Sequence, residues 1–177
     1  VFVRAEFLAG AWWQLLTAQW VHLSWAHGLA NAVGFAALLV AFWGHVAPRW
    51  LVAAAVGGQL GVAVVLALDT HCAWYAGASG ALHGLAAGAA LALLLQRPSQ
   101  TIGRLPPSWL GAGVLAGLAI KLVWQHGTGA QPGWLGFPTY TPAHEAGALG
   151  GLVAVAGLYA LQRTAAARRT HPGAGGQ

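Results

Sequence analysis

Five long apolar stretches divide the chain, at about 20–43, 50–68, 78–95, 109–125 and 143–161. None alternates apolar and polar positions as a half-buried strand would. Crossing a hydrocarbon core takes about 20 helical residues, and these stretches are that long or nearly so. Their continuity, and their content of Ala, Leu and Gly, predict helices and not a barrel. The first stretch is polar early and fully apolar only from Ala32 onward. Short joins punctuated by Gly, Pro or Asp lie at 44–48, 69–71 and 97–107. Three prolines and four glycines between His126 and Pro142 predict an irregular outer loop. The prediction is an all-α polytopic membrane bundle over residues 1–163, with a polar, Gly-rich, disordered cytoplasmic tail at 164–177.

Composition supports a lipid solvent. Hydrophobic residues make up 58% and charged residues 6%, whereas a soluble domain carries about 25% charged residues. The net charge of +5 comes from arginines at segment ends, which membrane orientation explains without nucleic acid. If the spans alternate, Arg49, Arg97, Arg104, Arg163, Arg168 and Arg169 share one side and Glu6 and Asp69 the other. The positive-inside rule then puts the tail in the cytoplasm and residues 1–19 outside. Those residues contain no span and no signal peptide, so a further transmembrane helix is expected upstream. Lys121, inside the fourth stretch, is expected to snorkel outward. Cys72 is the sole cysteine, so no intrachain disulfide can form.

Chemistry concentrates at two helix starts. Serines in membrane helices most often bond back to a carbonyl of the preceding turn. Ser79, however, stands between Gly77 and Gly80 at the predicted first turn of the third span. Unpaired amides and the helix dipole there favour an oxyanion, and small neighbours admit a substrate backbone. His144 opens the fifth span, and an intramembrane histidine marks a functional site, although one bonded to an interfacial carbonyl competes. Gly80, Gly84 and Gly88 form one small-residue stripe, and Gly147 and Gly151 another. Packing the two stripes together would bring hydroxyl and imidazole to one depth, as a nucleophile and its base require.

Other polar residues carry weaker signals. His27 and Asn31 share a helix face, where they either donate to an oxyanion or only lock helices together. His83, one turn after Ser79, either underlies the nucleophile, packs on His144 or fills the core. Glu145 lies about 100° around the helix from His144, which suits a surface or gating role better than a triad. Asp69 and His71 are expected to be solvated, and His45 and His126 to sit at the interface. His22, His27, His83 and His144 together suggest a metal or transport site as a rival, but no Cys or carboxylate joins them at ligand spacing.

In order along the chain, these residues resemble the rhomboid family of intramembrane serine proteases. Trp13-Gln14-Leu15-Leu16-Thr17 looks like the family's Trp-Arg-x-x-Thr segment, with Gln14 replacing the arginine. His22 and His27-x-x-x-Asn31 are similar to the polar residues of its second helix, and Gly77-Ala78-Ser79-Gly80 to its Gly-x-Ser-Gly nucleophile motif. His144 with Gly147 and Gly151 is similar to its sixth, catalytic helix. The run from Trp74 to Gly84, with Leu82-His83-Gly84 after the motif, resembles the rhombosortase branch.

The resemblance implies a six-helix core whose first helix is missing here and a Ser79–His144 dyad without an acid. It also implies an oxyanion hole from the Ser79 amide, His27 and Asn31, supported by His22, Gly77, Gly80, His83, Gly147 and Gly151. No metal or organic cofactor is implied. The setting would be the bacterial inner membrane, with the site towards the periplasm. The partners would be the lipid bilayer and membrane-anchored proteins bearing a C-terminal Gly-Gly signal, a transmembrane helix and a basic tail. The alternative is an inactive rhomboid-like protein that binds membrane clients.

Overall fold

Local signals set where each helix starts and stops. The computed structural model describes residues 1–96, 106–128, 133 and 136–170. β1 (Phe2–Val3), α1 (Arg4–Leu8), α2 (Gln14–Thr17) and a 3-10 turn (Ala18–Trp20) precede the long helices. These are α3 (Trp25–Phe42), α4 (Pro48–Leu68), α5 (Ser79–Leu95), α6 (Pro107–Thr128) and α7 (Thr141–Thr170), with β2 (Trp74–Tyr75) between α4 and α5. α3 begins later than the apolar pattern predicts, because Ser24 caps it by accepting the His27 N–H at 3.1 Å. Proline opens α4 and α6, where its missing N–H costs nothing.

α7 corrects the expected tail. Residues 164–170 are helical, not disordered. Ala165-Ala166-Ala167 is a strong helix former, and Arg168 and Arg169 complement the negative end of the helix dipole. Residues 171–177 and the join at 97–105 lie outside the described residues, as does most of 129–135. α6 continues to Thr128, so the expected outer loop starts later than His126.

The surface is inverted relative to a water-soluble fold. In α3 the buried residues are His27, Asn31 and Phe42, whereas Leu29, Val33 and Val40 are exposed. Water would disfavour that arrangement and lipid favours it. Exposed Trp25 and Trp43 mark the two ends of α3, separated by a rise of about 27 Å, as interfacial aromatic anchors should be. By length and apolarity, α3, α4, α6 and α7 each suffice to cross a membrane. The apolar α5 is shorter, 17 residues. It rises about 25 Å, less than the roughly 30 Å of hydrocarbon, so at least one end stops below the headgroups.

Small residues determine which helices touch. α4, α5 and α7 pack against one another, and α5 also packs against α6. A Cβ on Gly88 would come 2.8 Å from the Gly151 carbonyl oxygen, and one on Gly84 would come 2.6 Å from that of Gly147. Gly57, Gly61 and Gly150 make the same backbone-to-backbone contact between α4 and α7. The stripes predicted to pair therefore do so, and α4 joins them as a third partner.

The segment preceding α3 folds onto one end of this core. β1 pairs antiparallel with β2, with Phe2 opposite Tyr75 and Val3 opposite Trp74. Phe2 is buried with Ala18, Val62, Leu66, Cys72, Tyr75 and Ala143. Gln14 uses its Oε1 to accept the Val3 N–H at 2.8 Å, and its Nε2 donates to Glu6. Arg4 caps the end of α4, donating to the carbonyls of Leu66, Ala67, Asp69 and Cys72.

Gly151→Val should therefore cost about 3 kcal/mol or more by forcing α5 and α7 apart. Gly113→Ala, at a position with open space, should be neutral or slightly stabilising. Unfolding in mixed detergent and SDS, followed by circular dichroism, compares the two. Equal stability of both variants would contradict this packing.

Candidate active site

The end of the bundle where α4 and α6 finish and α5 and α7 begin holds a cavity of about 560 Å³. Its lining includes His27, Asn31, Ser79, His83, Lys121, Gln125, Tyr140 and His144. The approach to the nucleophile position is shaped by Gly77. Its φ of +120° is left-handed backbone, and a Cβ there would lie 2.6 Å from the His27 ring. Its N–H donates to the Ala18 carbonyl at 3.0 Å, and its carbonyl accepts from the Tyr75 hydroxyl at 2.8 Å. This turn delivers the chain to Ala78, the N-cap residue, and α5 starts at Ser79 with no side-chain cap.

Ser79 and His144 meet. Ser79 Oγ lies 2.9 Å from His144 Nε2, between the first residue of α5 and the first turn of α7. His144 is buried. His83 stacks on its ring, with centroids 4.2 Å apart and planes 10° from parallel. His83 Nδ1 also lies 2.6 Å from the Ser79 carbonyl oxygen. Of the roles open to His83, it takes the one against His144 and the Ser79 backbone.

His27 and Asn31 face the same cavity from α3, and both are buried. Asn31 Nδ2 donates to the His27 carbonyl at 3.1 Å, which leaves its second N–H for another acceptor. The Leu23 N–H makes a long 3.5 Å contact to His27 Nδ1, and an Nδ1 that accepts leaves Nε2 as the donor of the neutral ring. His22 packs edge-on to His27, with centroids 5.1 Å apart, and so supports that ring from outside the cavity lining. Gly80, Gly147 and Gly151 lie where α5 and α7 approach, and Gly80 also meets Val62 of α4. Among the described residues, no three His, Cys, Asp or Glu side chains converge to hold a metal ion.

Lys121 and Asp69 have partners that the sequence alone does not predict, whereas Glu145 lies at the surface as expected. Lys121 is exposed, and its ammonium is hydrogen-bonded to groups of the bundle. Its Nζ donates to Gln125 Oε1 at 2.8 Å and lies 2.7 Å from His83 Nε2. Gln125 is buried, and its Oε1 is 3.2 Å from His144 Nδ1. The signal for both was present as Lys121-x-x-x-Gln125, an i,i+4 pair on one helix face. Asp69 is not simply solvated. It accepts from the Tyr140 hydroxyl and from the His71 N–H at 2.9 Å, tying the end of α4 to the turn that leads into α7. Glu145 accepts from His126 Nδ1 at 2.9 Å across the ends of α6 and α7, at the surface.

A hydroxyl hydrogen-bonded to an imidazole, with amide and imidazole N–H groups lining the same cavity, can perform acyl transfer. The fold and this site define a polytopic helical membrane protein with a serine–histidine contact at one end of its bundle. Residues 9–161 match the family model described as Rhomboid domain. The chain belongs to the rhomboid family, which is of intramembrane-protease type. No curated protein and no solved structure matches it.

The latch at Asp69 should be sensitive to acid. The Tyr140 hydroxyl, then the His71 N–H, hold the Asp69 carboxyl below the ordinary carboxylate range against the effect of burial. A lowered folded value means that the stabilisation is complete above about pH 4, the unfolded value, and fades as pH falls further. Hydrogen exchange at residues 69–72 and 140 should accelerate as pH falls below about 4, beyond the intrinsic trend. Tyr140→Phe should remove most of that difference; an unchanged profile in the variant would contradict the assignment.

Proposed function

We propose that this protein is an intramembrane serine endopeptidase that cuts membrane-anchored proteins near the outer membrane face. The observation that carries this reading is the 2.9 Å contact between Ser79 Oγ and His144 Nε2. In the proposed reaction the Ser79 hydroxyl gives its proton to His144 Nε2 as Oγ attacks the scissile carbonyl carbon. The oxyanion takes hydrogen bonds from the Ser79 N–H, His27 and Asn31. Collapse breaks the C–N bond, and the imidazolium returns its proton to the departing amine. Water then adds to the acyl carbon, losing a proton to His144, and Oγ leaves with that proton restored.

Substrate and setting follow from the sequence. The Leu82-His83-Gly84 run after the nucleophile motif supports the rhombosortase branch and a C-terminal Gly-Gly signal followed by a transmembrane helix. Glycines offer little steric obstacle to local unwinding beside Gly77 and Gly80. The arginine distribution supports a cytoplasmic C-terminus and a site towards the periplasm of a bacterial inner membrane. No metal or organic cofactor is needed for this chemistry.

Reconstitution in proteoliposomes with a Gly-Gly reporter carrying a C-terminal transmembrane helix and basic tail tests the proposal. The protein should cleave it, and Ser79→Ala and His144→Ala should each lower turnover at least ~1,000-fold. Replacing Gly-Gly by Val-Val should abolish cleavage. A reporter that is bound but never cut would instead establish the client-binding alternative, and cleavage surviving Ser79→Ala would overturn the mechanism.

A further inference from the structure

Resting on that reading of Ser79 and His144, we infer that Lys121 and Gln125 of α6 fix the tautomer of His144. They are positioning residues in place of the acid that the dyad lacks. The inference begins with the one side chain in the cluster that can only donate. A lysine ammonium has three N–H groups and no acceptor. Lys121 Nζ lies 2.8 Å from Gln125 Oε1 and 2.7 Å from His83 Nε2, so both of those atoms must accept.

Each contact has a consequence one bond further on. If His83 Nε2 accepts, the proton of the neutral ring is on Nδ1, where it donates to the Ser79 carbonyl at 2.6 Å. If Gln125 presents its oxygen to Lys121, that same oxygen faces His144 Nδ1 at 3.2 Å, so His144 donates from Nδ1. A neutral imidazole protonated at Nδ1 carries its lone pair on Nε2. Nε2 is the atom 2.9 Å from Ser79 Oγ.

The opposite amide orientation shows what Lys121 prevents. A flipped Gln125 would aim its NH2 group at both the ammonium and His144 Nδ1. The first contact is repulsive, and the second would move the imidazole proton to Nε2, where it could not receive the Ser79 proton. In a soluble serine protease a buried aspartate imposes the same tautomer, and its loss to a neutral amide of the wrong polarity costs ~10⁴-fold. Here the amide is polarised from behind by a cation that the bundle holds with two acceptors. His83 completes the arrangement by stacking on His144 and fixing the plane of its ring.

The test uses the full chain in detergent and reads two quantities. Fluorophosphonate labelling of Ser79 gives a maximal rate and a half-saturating concentration. Nitrogen-15 histidine NMR, with His144 assigned by His144→Asn, gives the ring tautomer whether or not the protein is active. The Nδ1-protonated form is expected, with Lys121→Met producing a mixture. Gln125→Leu should lower the maximal labelling rate ~10–100-fold, and Lys121→Met ~10-fold, with little change in half-saturation. Gln125→Glu, an obligate acceptor, should recover at least ~5-fold over Gln125→Leu. An Nε2-protonated His144, an unshifted tautomer in folded Lys121→Met, or Gln125→Glu no faster than Gln125→Leu would overturn the inference. No Ser79 labelling, together with the expected tautomer, would sink the protease reading and leave this one standing.

Discussion

Backbone contact among α4, α5 and α7 is the constraint from which the rest follows. Without a hydrophobic drive between helices in lipid, close van der Waals packing must hold the bundle, and only glycine and alanine allow it at this distance. The Gly80–Gly84–Gly88 edge lies against the carbonyls of Ala143, Gly147 and Gly151. That register is what brings the first residue of α5 level with the first turn of α7. A slip of one turn would displace a serine and a histidine by about 5.4 Å, which no side-chain rearrangement could restore to a hydrogen bond.

The polar groups then have to be satisfied without water from the lipid side. They form one connected set: Ser79 with His144, His144 with Gln125, Gln125 with Lys121, Lys121 with His83, and His83 back to the Ser79 carbonyl. A cycle of this kind places each proton, because reversing one bond would leave two donors or two acceptors facing each other. It also explains how an intramembrane lysine is tolerated. Its two acceptors belong to the bundle, on α5 and on its own helix. The segment before α3 contributes through β1, Gln14 and Arg4, which hold the end of α4 and the loop to α5.

Much of this was legible in the residues. Continuous apolar stretches gave the helices, and glycine spacing identified α5 and α7 as partners. Ser79, His144, His27 and Asn31 stood out because polar groups at membrane depth need a reason. What failed did so for identifiable causes. A long side chain near a helix end can reach the interface, which is what the sequence predicts for Lys121; its contact with His83 on α5 comes from tertiary structure. Gln125 carries no charge and sits at a span's edge, and only its i,i+4 spacing from Lys121 marks it locally. Asp69 meets Tyr140 across 71 residues of chain, beyond the reach of any local pattern. Polarity predicts disorder from residue 164, but over 164–170 three alanines and two arginines favour continuing α7.

The central claim is that helix packing holds the Ser79 hydroxyl and the His144 imidazole in proton-sharing contact at a site shaped for an oxyanion. An experimental structure of the protein in lipid after reaction with a fluorophosphonate tests it most directly. The account predicts a phosphorus–oxygen bond to Ser79, His144 Nε2 within about 3 Å of that oxygen, and the phosphonyl oxygen directed at His27 and Asn31. An unmodified Ser79, or an imidazole turned away from it with α5 and α7 in a different register, would contradict it.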